Sequence, residues 1–128
     1  MSFKFILSGV VIPKARPRFN GKIAYTSDRY AAWKDWAIAQ FSSQAMNLGL
    51  QAPIDRAAVS IQVQGAMRGD LDNIAGSVLD ALVQGGILTN DSASRVPELH
   101  ITYHPRCKQK GLVVTVEAIA AAKKRGAA

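Results

Sequence analysis

Asp70, Asp72, Asp80 and Asp91 fall in one short stretch of a chain that is otherwise poor in acid. Like charges brought together cost free energy unless a cation or a proton offsets them. Asp70 and Asp72 are two residues apart, and in a chain extended up to Asp72 both side chains leave the strand end on the same face. Carboxylates grouped in this way suit Mg²⁺, a hard ion that takes oxygen ligands, keeps several waters and shares its shell with substrate phosphate. Asp91, on a loop after the next helix, is the expected third carboxylate. Asp70, Asp72 and Asp91 are thus the expected metal-binding and catalytic set, with Mn²⁺ as the alternative ion. Such a site activates a bound water and offsets charge on an attacked phosphate. Asn73 and Asp80 are expected to support these ligands from behind.

Plainer readings stand beside this one. Asp72 could simply be a helix N-cap, which would leave Asp70 without a purpose. Asp80, two turns beyond Asp72 on the same helix face, could be a half-buried carboxylate bonded to a neighbouring loop or basic residue. The stretch is not an EF-hand, because Ile74 stands where the next oxygen ligand belongs.

Cations frame the acids. Lys14, Arg16 and Arg18 alternate within the segment PKARPRFNGK, where Pro13 and Pro17 stiffen the backbone. Extended, the three would point the same way, as a phosphate clamp needs. Arg68, Lys108 and Lys110 are further DNA-binding candidates, although exposed lysines on a turn are also ordinary surface decoration. Lys123, Lys124 and Arg125, in the tail, could form a basic arm that grips DNA non-specifically. With sixteen basic and nine acidic residues the net charge is +7, which favours a polyanionic partner or an anionic membrane surface.

The elements that must hold these groups follow from hydrophobic periodicity. Residues 3–12 read as a strand and 13–22 as an irregular basic loop. Tyr30, Trp33, Ala37 and Phe41 recur at helical spacing within 28–48, and Gly49 follows as a stop. Trp33, Trp36 and Phe41 are expected to fill the core or an interface rather than to stack on bases. Val59, Ile61 and Val63 alternate with polar residues along a strand over 57–67. Leu71, Ile74, Val78 and Leu82 mark a helix from Asp72 to Gln84, ended by Gly85 and Gly86. Residues 87–96 read as a loop. Two last strands, 99–103 and 112–118, are expected to pair antiparallel across the short basic connection PRCKQKG. His100 and His104 read as ordinary surface or core histidines. The order β-α-β-α-β-β gives an α/β (α+β) fold, with a small four-stranded mixed sheet and two main helices. Residues 1–120 are expected to form one domain, and the alanine-rich tail 121–128 to be a frayed helix or disordered.

Composition narrows the class. Hydrophobic residues make up 48% and charged residues 20%, so bulk disorder is excluded. No apolar run is long enough to cross a bilayer, and Lys4 interrupts what would otherwise begin like a signal peptide. A single cysteine, Cys107, excludes an internal disulfide and a cysteine-rich zinc module. A cytoplasmic protein is the default expectation.

The motifs resemble, in order and spacing, those of RusA-like Holliday-junction resolvases. The resemblance runs through Asp70-Leu71-Asp72-Asn73-Ile74, Leu79-Asp80-Ala81-Leu82, Gly86-Ile87-Leu88 and Asn90-Asp91. Upstream, Pro13-Lys14-Ala15-Arg16-Pro17-Arg18 followed by Tyr25-Thr26 is similar to the family's proline-and-arginine loop. The matches run from about residue 10 to about residue 96. The resemblance implies a homodimeric, Mg²⁺-dependent endonuclease that resolves four-way DNA junctions by paired symmetric nicks in recombination and repair. It also implies a bacterial or phage-encoded, nucleoid-associated protein, with Asp70, Asp72 and Asp91 as the catalytic carboxylates. One position departs from the family pattern. The family usually has a lysine four residues after the second aspartate, and this chain has Gly76. The alternative is therefore a weakened or inactive junction-binding member, or one that draws a cation from Arg68, Lys34 or Arg95.

Overall fold

Phe3, Phe5 and Leu7 are buried while their neighbours along the strand are exposed, the two-residue alternation of a sheet with one covered face. These residues belong to β1 (Ser2–Ser8) in the computed structural model of the chain, which describes residues 1–13, 18–19, 24–25, 28–67 and 69–120. The strand stops short of residue 12 because its partner runs out, the last pair being Ser8 with Gly111. Two short strands pair antiparallel, β2 (Arg18–Phe19) inside the segment expected to be irregular and β3 (Ala24–Tyr25) just after it.

Helix α1 (Asp28–Leu48) buries Tyr30, Trp33, Ala37, Phe41 and Ala45, a stripe at three- and four-residue steps. Trp36 falls off that stripe and is 40% exposed, so of the three aromatics it alone lies outside the core. Strand β4 (Ala57–Gln64), helix α2 (Leu71–Gln84), β5 (Glu98–His104) and β6 (Gly111–Ala118) complete the order. The fold is α+β, with two helices and a four-stranded mixed sheet, as the hydrophobic pattern implies.

The strand order is β1-β6-β4-β5. β4 runs parallel to β5 and antiparallel to β6. The expected pairing of the last two strands therefore fails, because β4 lies between them and residues 105–110 cross its end. Burial explains the order. β6 presents the apolar run Leu112–Val114 and needs a neighbour on each side, whereas β5 is exposed along most of its length and suits an edge. α2 supplies the crossover that the parallel β4–β5 pair requires.

The two sheet edges differ. On β1, the Gln44 side chain accepts from the Ile6 N–H (2.9 Å) and donates to the Ile6 carbonyl (2.7 Å), so α1 closes that edge. On β5, Leu99, Ile101 and Tyr103 lie beside Val59, Ile61 and Val63 on the core-facing side. Leu99 is nevertheless 41% exposed and Tyr103 40%, because the helices stop short of this edge. The Phe5 and Phe41 rings meet edge to face at 5.3 Å and join the sheet to α1. Among the described residues, no helix is long and apolar enough to cross a membrane.

Candidate nuclease site

Asp70 and Asp72 enter the site through the loop that leaves β4. Gly65 and Gly69 bracket this loop with φ of +85° and +113°, a backbone region that side chains rarely adopt. Both glycines also make room for a neighbour. A Cβ on Gly65 would lie 2.6 Å from the Lys110 stem, and one on Gly69 would lie 2.5 Å from Pro13. Between them, the Tyr103 hydroxyl accepts from the Met67 N–H (3.1 Å) and donates to the Met67 carbonyl (3.3 Å). The approach to Asp70 is thus held from β5, from the start of β6 and from the root of the proline-rich loop.

Extended backbone ends at Asp70, not at Asp72. Asp70 is the N-cap residue of α2, with φ −80° and ψ 143°, and its carbonyl accepts the first helical bond from Ile74. Its carboxylate makes no capping hydrogen bond. Asp72 is already in the first turn, where it accepts from the Asn73 N–H at 2.9 Å. The plain capping role considered for Asp72 therefore belongs, by position, to Asp70. Both carboxylates are exposed at a helix N-terminus, where the dipole favours negative charge.

Asp91 lies elsewhere within the chain. α2 has 14 residues, so about 21 Å of helix separates its two ends. The loop that follows is pinned to the start of β4: Ile54 donates to Ile87, Thr89 to Ile54 and Ala57 to Arg95. Asp91 therefore sits at the start of β4, whereas Asp70 follows the end of that strand. No group of three or more His, Cys, Asp or Glu side chains suited to a metal ion occurs among the described residues.

Asp80 sits in the second half of α2 and accepts a 2.8 Å hydrogen bond from the Tyr30 hydroxyl. A tyrosine of α1 is thus one of its partners. Burial, and then the Asp80 carboxylate, push the Tyr30 hydroxyl well above the ordinary tyrosine range. Asn73 is half-buried in the first turn, and its carbonyl accepts from Ser77 at 3.1 Å.

Lys108 and Lys110 are exposed on the connection before β6. Lys14, Arg16, Arg68 and the tail 121–128 lie outside the described residues, and of Arg18 only the backbone is described. Two of the cations considered as stand-ins for a lysine at position 76 have described partners. Arg95 pairs with Asp55 near the start of β4, and the Lys34 ammonium lies 5.6 Å from the centre of the Tyr30 ring. His104 bonds Thr102 on the exposed edge strand.

Sequence reasoning missed Ser77, Tyr103 and Arg29. Ser77 is fully buried, and its hydroxyl lies 2.8 Å from the Ile12 carbonyl, which fastens the root of the basic loop to α2. The available signal was a hydroxyl on the apolar face of α2, beside Ile74 and Val78. Tyr103 gave no signal beyond alternation. Arg29, in the first turn of α1, joins Lys110, residues 10–13, Ala66 and Met67 around a cleft of about 460 Å³.

A basic α+β scaffold that sets paired carboxylates beside the root of a cationic loop has the make-up of a protein that works on nucleic-acid phosphates. The chain matches the family model described as Endodeoxyribonuclease RusA over residues 8–117 and belongs to that family, which comprises Holliday-junction resolvase nucleases. No curated protein matches it.

Proposed function

We propose that the protein is a metal-dependent endonuclease that binds four-way DNA junctions and resolves them by paired nicks, acting as a homodimer. The observation that supports this best is the attachment of the basic loop to the Asp70 end of α2, through Ser77 on Ile12 and Pro13 on Gly69. The root of that loop and the carboxylates then share one end of the molecule. Phosphate contacts would supply most of the affinity, and junction shape most of the selectivity.

Asp70 and Asp72 fit Mg²⁺ or Mn²⁺ as donors, being exposed oxygen ligands two residues apart at the start of α2 with no capping bond on Asp70. When bound, the ion would activate water and offset charge on the attacked phosphate. The chain's own part is to hold both carboxylates in place through Tyr103 and the two loop glycines. Asp91, at the far end of α2, joins them only if a second copy lies antiparallel along this face. The half-exposed Leu99 and Tyr103, together with Leu71, offer apolar surface for such a contact.

The test is incubation with a synthetic four-way junction and Mg²⁺ or Mn²⁺. Paired nicks are expected. A folded protein that cuts under neither ion is not the enzyme described. Asp70→Asn should abolish cutting while retaining or tightening junction binding, because a carboxylate that repels phosphate is removed. Gly76 favours a second reading, a junction binder that cuts slowly or not at all. On a helix, position 76 lies one turn beyond Asp72. Under that reading, Gly76→Lys would restore or raise cleavage.

A further inference from the structure

We propose that the cleft between the root of the basic loop and the β4–α2 loop receives a single unstacked nucleotide of the bound DNA. This inference rests on the junction-binding reading above. The cleft is bounded by Ile12 and Pro13 on one side and by Ala66 and Met67 on the other, with Arg29 and Lys110 at its margin. Its floor is apolar, its described lining contains no acid, and its volume of about 460 Å³ is that of a small-molecule site. A duplex has no part slim enough to enter. One base does, with the apolar floor against its ring and the two cations within the cleft's margin for its phosphate.

The cleft is built into the backbone. Gly65 allows the Lys110 stem to cross the end of β4, and Gly69 allows Pro13 to close against the loop. The Ser77 hydroxyl fixes Ile12, and the Tyr103 hydroxyl fixes Met67. Gly69 directly precedes Asp70, so a nucleotide seated here lies next along the strand from the carboxylates. A branch point supplies such a nucleotide cheaply, because bases there lose the least stacking when displaced.

The experiment places 2-aminopurine singly at each position around the branch of a four-way junction and adds wild-type protein without divalent metal. Binding is followed by anisotropy and unstacking by fluorescence. A several-fold rise at one position is expected. Ala66→Leu, which fills the cleft from an exposed position, should remove that rise while weakening junction binding by only a few-fold. Arg29→Ala and Lys110→Ala should each lower the slope of log affinity against log salt by about one. Junction binding without a rise at any position overturns the proposal, as does an undiminished rise in folded Ala66→Leu or an unchanged salt slope in both cation variants. Absence of junction binding by the wild-type protein would instead remove the junction reading itself, and this inference with it.

Discussion

A hydrogen bond from the Tyr30 hydroxyl to the Asp80 carboxylate connects the two helices, and its consequence is a dependence on alkaline pH. The tyrosine hydroxyl is raised above its usual value near 10 by burial first, then by the carboxylate it bonds and faces. A group that holds its proton more tightly in the folded state stabilises the fold fully below its unfolded value. That contribution shrinks as pH rises above about 10, where the unfolded chain loses the proton first. Tyr30→Phe removes the bond and should cost about 1–2 kcal/mol at neutral pH. It should also flatten the loss of stability between about pH 10 and 11 relative to wild type. Urea unfolding of both proteins across that range checks the sign; parallel curves would exclude this role for Tyr30. The sequence showed Tyr30 as one member of an apolar stripe and Asp80 as a carboxylate wanting a partner. That the two meet depends on how α1 crosses α2, which no local pattern encodes.

At the level of elements, periodicity served well wherever burial alone decides structure. The stripe Tyr30, Trp33, Ala37 and Phe41 announced α1, and Leu71, Ile74, Val78 and Leu82 announced α2. Pairing of β5 with β6 was misread because a short connection does not reveal that another strand lies between. Edge protection was equally hidden, since Gln44 looks like any polar residue on a helix until Ile6 is found beneath it. Gln44→Ala should expose the Ile6 N–H and carbonyl on the β1 edge, for a loss of about 1–2 kcal/mol in chemical denaturation. It should also increase self-association detected by light scattering, because an uncovered strand edge is a template for pairing. An unchanged midpoint and unchanged scattering would show that β1 needs no cover.

For the whole molecule, the decisive fact is the span of α2. The sequence offers Asp70, Asp72 and Asp91 as candidate metal ligands, but it does not show that α2 sets Asp91 apart from the other two within one chain. Fourteen helical residues carry Asp91 to the opposite end, and the Ile54–Leu88 bridge holds it there. If the three carboxylates act together, the third belongs to another copy, and the two halves of a symmetric dimer each complete the other's site. Mixing two inactive variants tests this directly. In a heterodimer of Asp70→Asn with Asp91→Asn, one site would combine an intact Asp70 with an intact Asp91 of the partner subunit, while the other site would lose both. Cleavage should therefore reappear on mixing, as nicks in one strand of the junction without the paired second cut. If each chain instead completes its own site, every site in the mixture lacks one carboxylate and no activity returns. Co-expressed, separately tagged subunits, purified through both tags, ensure that the heterodimer is what is assayed. Recovery of single nicks would place Asp91 in trans, and silence from a verified heterodimer would rule out sharing of the site between subunits.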